Sequence, residues 1–225
     1  MNVGVRASFF SSREYCTEYL TDDAADVEVA VTKDDIAVEA AASEFEYSDK
    51  YYETLAIYRK IAEALIPRDI LLVHGSAVSV DGKCYLFTGP SGIGKSTHAA
   101  LWEKMLDDKV TIINDDKPLI KISSEGCEVF GSPWSGEQNI NTNTSAPLKA
   151  ICFIEQSETN EIYQIEKSDA VELLVPQIYK SEDKENVNKT LELTDLLLRK
   201  TDFYLLKCNT DISAARISYD HLIKI

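Results

Sequence analysis

Lys83-Cys84-Tyr85-Leu86-Phe87-Thr88-Gly89-Pro90-Ser91-Gly92-Ile93-Gly94-Lys95-Ser96-Thr97 is the stretch on which the fold turns. Its first six residues are rich in β-formers and read as a buried strand. Gly89 to Ser96 fits G-x-x-x-x-G-K-[ST], the phosphate-binding P-loop, without a mismatch. Thr97 to Leu106 then supplies helix formers, with Leu101 and Met105 one turn apart. Glycines let successive backbone N–H groups turn toward a phosphate without Cβ clashes, and the helix N-terminus adds its positive dipole end. The phosphate-binding set is therefore Gly89, Ser91, Gly92, Ile93, Gly94, Lys95, Ser96 and Thr97. Lys95 would reach the β- and γ-phosphates of ATP, and the Ser96 hydroxyl would meet Mg²⁺. A plain glycine-rich turn would need neither the lysine nor the hydroxyl.

Upstream, Ile70 to Val80 reads as one strongly apolar strand, and Asp81-Gly82 as the hairpin turn that leads back into the P-loop strand. This strand carries His74. A histidine in an apolar strand is usually a satisfied core residue, but the hairpin brings His74 beside the strand that delivers the P-loop. Tyr51, Leu55, Tyr58, Ala62 and Leu65 recur at helical spacing, closed by Pro67. Before them, Val27 to Val31 and Ile36 to Ala40 read as short β-like runs between acidic turns.

Downstream, strands are expected at Val110–Ile113, Leu119–Ile122, Glu128–Phe130, Ala150–Ile154 and Glu161–Ile165. Ser168 is a candidate helix cap, and Val187, Leu191, Thr194 and Leu198 mark a second helix. A strand at Phe203–Lys207 and a helix from Asp211 follow, with Ile212, Ala215, Tyr219 and Leu222 expected to face inward. Neighbouring hairpins imply a mixed sheet rather than a purely parallel one.

Asn114-Asp115-Asp116 directly follows an apolar strand, about twenty residues after the P-loop lysine. P-loop enzymes place a metal-holding carboxylate at such a strand end. Two adjacent carboxylates can divide the work, one near Mg²⁺ and one as general base toward an acceptor hydroxyl. Asn-Asp-Asp is also good turn chemistry.

At 225 residues, 44% hydrophobic and 27% charged, the chain has the composition of a soluble globular protein. Acidic residues outnumber basic ones 38 to 23, for a net charge of −15. That balance argues against nucleic-acid backbones and anionic membrane surfaces as partners. Five scattered cysteines with no C-x-x-C suggest neither a zinc site nor a disulfide framework. No signal-peptide pattern or transmembrane-length run occurs, and a cytoplasmic location is expected.

Val73-His74-Gly75, a short hairpin, the P-loop and an Asp pair together resemble the catalytic domain of HPr kinase/phosphorylase. The core of that family in turn resembles ATP-dependent phosphoenolpyruvate carboxykinase. The resemblance spans His74 to Asp116, under a fifth of the chain. It implies a mixed-sheet α/β P-loop kinase core at residues 69–225, after a small β-rich part at 1–68 that ends in the amphipathic helix, or one continuous domain. It also implies roles for His74 near the phosphate, Lys95 and Ser96 toward ATP and metal, and Asp115 and Asp116 as base and metal contact. HPr kinases form rings, so a homo-oligomer is compatible with the resemblance.

The chain departs from the family in two places. HPr kinases carry a longer N-terminal domain than residues 1–88 here, and their second glycine-rich signature is missing. In its place stands Gly131-Ser132-Pro133-Trp134-Ser135-Gly136-Glu137-Gln138-Asn139. This segment reads either as a surface turn over Trp134 or as an active-site loop whose Glu137 joins Ser96 and Asp115 around the metal. The chain is thus closer to the compact HPr kinase-like proteins of bacterial peptide-modification gene neighbourhoods. The implied reaction is ATP-dependent phosphoryl transfer to a serine or similar hydroxyl on a peptide, protein or small molecule. The competing readings are a carboxykinase-like lyase, for which arginines are scarce, and a nucleotide-binding module without turnover, which would need no general base.

Overall fold

The computed structural model describes residues 1–136 and 138–224. The chain divides into two compact units, Met1–Arg68 and Asp69–Ile225.

In the first unit, β1 (Val3–Arg6) pairs in parallel with β2 (Val27–Ala30), and α1 (Phe10–Tyr15), α2 (Lys33–Ala42) and α3 (Asp49–Leu65) complete it. The unit is mainly helical rather than β-rich. The run Ile36–Ala40, expected as a strand, is the middle of α2. Thr32 and Asp35 form a reciprocal capping box, with Thr32 N donating to Asp35 Oδ2 over 2.8 Å, and the alanines beyond continue the helix. Glu53 on α3 is fully buried and accepts from Ser8 N, Phe9 N and Ser12 Oγ, so its carboxyl oxygens are satisfied by α1 and the residues just before it.

The second unit holds β3 (Ile70–Leu72), β4 (Gly75–Val80), β5 (Lys83–Thr88), α4 (Lys95–Leu106), β6 (Val110–Asn114), β7 (Leu119–Ile122), β8 (Cys127–Phe130) and β9 (Ser145–Gln156). After them come β10 (Glu161–Gln164), α5 (Lys167–Leu174), α6 (Lys184–Lys200), β11 (Asp202–Cys208) and α7 (Ile212–Leu222). The strands join in the order β3-β7-β8-β9-β5-β4-β6, with β11 pairing both β9 and β10. β9 runs parallel to β5 and β11, and the remaining pairings are antiparallel. This is a mixed α/β fold. β9 extends well beyond the expected 150–154 because it pairs β8 through Ser145–Pro147 and β11 through Ala150–Gln156.

The expected strand Ile70–Val80 is broken at Val73-His74. β3 pairs only β7, whereas β4 pairs β5 and β6, so the chain changes partners between them. Asp81 and Gly82 (φ 50° and 73°) both take the left-handed conformation that a two-residue type I′ hairpin requires. α4 and α7 cover one sheet face, where Trp102, Tyr85, Phe87, Ala99, Leu206 and Leu222 pack together and Trp102 Nε1 donates to Ser218 Oγ over 2.8 Å. Truncating such a buried tryptophan to alanine costs about 3–5 kcal/mol.

Three local expectations shift. α5 is capped at Glu166 rather than Ser168, which sits inside the first turn. α6 buries Leu193, Thr194 and Leu197 while Leu191 is 60% exposed, so its inner face is rotated from the expected stripe. On α7, Ala215 and Leu222 are buried as expected, whereas Ile212, the first helical residue, is exposed.

Candidate functional site

The P-loop runs from the end of β5 into α4, and its glycines take the conformations that side chains resist. Gly89, Gly92 and Gly94 have φ of 143°, 76° and 114°. A Cβ at Gly89 would stand 3.2 Å from Ile93 Cγ2, whereas Gly92 and Gly94 have nothing within 4 Å on that side. Gly94 is the N-cap of α4, so Lys95, Ser96 and Thr97 form the first helical turn, whose N–H groups lack intrahelical acceptors. Open glycine positions followed by unpaired helix N–H groups form a cradle that suits a phosphate. Lys95 folds back over this loop, donating to Gly89 O at 3.1 Å and Pro90 O at 3.0 Å. Burial lowers its pKa from the ordinary lysine value, and the Asp116 and Asp115 carboxylates oppose that shift.

Those carboxylates arrive from β6. β4 is antiparallel to both β5 and β6, so β5 and β6 point the same way and end on one edge of the sheet. Asp115 is buried; Ser76 Oγ donates to its Oδ1 over 2.8 Å, and it shares a further hydrogen bond with Ser96 of the P-loop. Burial raises the pKa of its carboxyl, and the bonds from Ser76 and Ser96 hold it down. Asp116 is half-buried, with Oδ1 3.4 Å from His74 Nε2 and Oδ2 3.3 Å from Lys117 Nζ. His74 sits where β3 gives way to β4: its N donates to Gln177 O over 2.8 Å and its O accepts from Thr88 Oγ1 over 2.6 Å. Burial, then the nearby Lys95 ammonium, lowers the pKa of its imidazole. His74 therefore meets Asp116 as a neutral ring at neutral pH.

Asn114 fastens the next loop to this site. It is fully buried, and its Nδ2 donates to Ser132 O and Trp134 O over 3.0 and 3.1 Å. Its Oδ1 accepts from the N–H groups of Asp116 and Lys117 over 3.0 and 2.7 Å. Gly136 lies so close that a Cβ there would stand 3.2 Å from Asp116 Cβ. Gly131 to Gly136 thus borders the Asp pair, with Trp134 buried beneath it. Glu137, assigned from the sequence to the metal, lies outside the described residues.

His74, Lys95, Ser96, Asp115 and Asp116 are therefore neighbours, although 42 positions separate the first from the last. Sequence reasoning passed over Ser76, Asn114 and Gln177. Ser76 was within reach, since strand residues two apart share a face and His74 was already singled out. Asn114 was read only as turn chemistry, and Gln177 carries no sequence signal.

Among the described residues no group of three or more His, Cys, Asp or Glu could by itself hold a metal ion. The Ser96 hydroxyl and Asp115 carboxylate nonetheless match the sparse oxygen set with which proteins hold Mg²⁺ when a phosphate supplies the rest. No helix among the described residues is long and apolar enough to cross a membrane.

The family described as SynChlorMet cassette protein ScmC matches residues 49–190, more than half of the chain. The chain belongs to the SynChlorMet cassette protein ScmC family. That match includes the P-loop, His74, the Asp pair and the loop that Asn114 holds. No curated protein matches the sequence significantly. Among solved structures, the ScmC-family chain is similar to the Hpr(Ser) kinase/phosphatase from Coxiella burnetii, at 11% identity and a TM-score of 0.42, over 68% of this chain and 91% of that one.

Proposed function

We propose that this protein transfers the γ-phosphoryl group of ATP to a hydroxyl, serine or similar, on a peptide, protein or small molecule. The observation that carries the reading is the meeting of Ser96, on the P-loop, with Asp115 just after β6, where the adjacent Asp116 faces His74. A pure nucleotide binder needs the cradle but not a second carboxylate beside it. A carboxykinase-like lyase needs clustered arginines, yet Arg199 is engaged with Asp195 on the exposed face of α6.

The P-loop N–H groups and Lys95 hold the phosphates, Lys95 leaving its two carbonyl acceptors to do so. Ser96 and Asp115 would hold Mg²⁺, which would supply charge neutralisation at the phosphate oxygens. Asp116 takes the proton of the acceptor hydroxyl as that oxygen bonds the γ-phosphorus and the bond to the β–γ bridging oxygen breaks, leaving ADP. Neutral His74 orients the Asp116 carboxylate without quenching it by a full charge. A protein that uses ATP and keeps all five cysteines free suits the reducing cytoplasm.

The test is incubation with γ-labelled ATP, Mg²⁺ and a lysate of the source, comparing wild type with Asp116→Asn. Label should pass to a discrete acceptor with wild type, and Asp116→Asn should slow transfer about 10²-fold or more while still binding nucleotide. Nucleotide binding by wild type with no transfer to any acceptor would replace this reading by the binding module.

A further inference from the structure

The carboxylates occupy one flank of the P-loop; the other flank is built differently. Because β9 pairs both β5 and β11, the sheet there runs β11-β9-β5-β4-β6. β9 and β11 finish together, Gln156 opposite Cys208, and β5 stops earlier, with Thr88 opposite Phe153. Open α/β sheets bind ligands outside such carboxyl ends. The segments after β9 and β11 flank a cleft of about 590 Å³ beside Gly92–Gly94. That volume is ample for a small organic ligand. Ile93, Leu101 and Ile154 give it an apolar lining, while Gln156, Glu158 and Asn209 bring polar groups.

The walls are braced independently of any ligand. Asn209 N donates to Asn160 Oδ1 over 2.9 Å, Asn209 Nδ2 to Glu158 O over 3.0 Å, and Asn160 Nδ2 to Ser213 Oγ over 3.0 Å. Gln156 Nε2 donates to Ile93 O over 3.3 Å, tying the end of β9 to the P-loop itself. His98, which also lines the cleft, is buried, and its pKa is pushed down to about 4, so it adds no cation. A preformed site of this kind costs little ordering entropy on binding.

A nucleoside triphosphate lying along the P-loop has two ends. Its terminal phosphoryl group must face Asp115, Asp116 and His74, which belong to the β4–β6 flank. We propose that its nucleoside occupies the cleft on the β9–β11 flank, the base against Ile93, Leu101 and Ile154 and the ribose hydroxyls toward Glu158 and Asn209. This rests on the phosphoryl-transfer reading and adds the direction in which the nucleotide lies.

The full-length wild-type protein is irradiated with 8-azido-ADP and Mg²⁺ and digested at Lys and Arg. Label is expected in fragments 84–95, 96–104 and 150–167, which carry Ile93, Leu101 and Ile154. In parallel, Ser157→Trp, which places a ring in the cleft, should weaken Mg-ADP binding tenfold or more and leave tripolyphosphate binding unchanged. Label confined to other fragments, or unchanged Mg-ADP affinity in folded Ser157→Trp, overturns the proposal. Wild type that binds tripolyphosphate but takes up no label overturns the cleft alone. Wild type that binds neither Mg-ADP nor tripolyphosphate overturns the P-loop reading with it.

Discussion

The two flanks of the P-loop are made by opposite means. On the β4–β6 side, side chains crowd inward: Ser76 and Ser96 hold Asp115, His74 stands against Asp116, and Asn114 pins the 131–136 loop to the backbone of Asp116 and Lys117. On the β9–β11 side the bonds run between the walls themselves, and a cleft remains. The contrast follows what each side must do. Placing a proton acceptor within a few tenths of an ångström needs interlocked side chains, whereas admitting a ligand body needs rigid walls and room.

The largest effect is expected where the flanks meet. Lys95→Ala should weaken Mg-ATP binding about 10²-fold or more, since two charge-assisted hydrogen bonds to phosphate are lost. Circular dichroism should show the fold intact, because the hydrogen bonds of Lys95 Nζ go to Gly89 O and Pro90 O of its own loop. Wild-type affinity by calorimetry in that folded variant would remove the phosphate site and the comparison with it.

On the crowded flank, Asn114→Ala strips partners from two carbonyls and two N–H groups, at about 1–3 kcal/mol for each one left buried and unpaired. We expect turnover to drop roughly tenfold, as if about 1.4 kcal/mol of transition-state stabilisation were lost, while the nucleotide KM barely moves. Trp134 emission should shift to the red as its loop loosens. A change in nucleotide KM with kcat preserved would contradict the division of labour between the flanks.

The smallest effect on activity belongs to His98, beneath the cleft, whose contribution is to stability. Its pKa is about 4 in the fold, because of burial, against 6.5 ordinarily. Between those values the unfolded chain binds the extra proton, so stability is fully present above pH 6.5 and falls as pH drops toward 4. His98→Gln should flatten that slope by up to about 3 kcal/mol across the interval. Parallel urea-denaturation profiles for the two proteins would show that His98 is not buried as a neutral ring.

The P-loop was legible in the sequence because everything it needs is local: a β-rich run, glycines for positive φ, then a lysine and hydroxyl at a helix start. The hairpin at Asp81-Gly82 was legible for the same reason. Ile36–Ala40 forms a helix because its apolar residues are too few to establish a strand period, and the capping box of Thr32 and Asp35 just before it decides the matter. On α7 the sequence marked the helix and most of its inner face, whereas on α6 it marked the helix but not which way it faces, since orientation depends on the surfaces it packs against.

By itself, then, the sequence determined a phosphate cradle, a carboxylate pair at a strand end and a histidine one hairpin away, each a short segment whose backbone preferences are its own. Only the tertiary structure decided that Gln177 would hold the His74 backbone, that Asn114 would fasten a distant loop to Asp116, and that β9 and β11 would end together beside the P-loop to leave a cleft. Those features depend on pairings between segments dozens of residues apart. Strand order and register set them, and no short stretch of sequence carries that information.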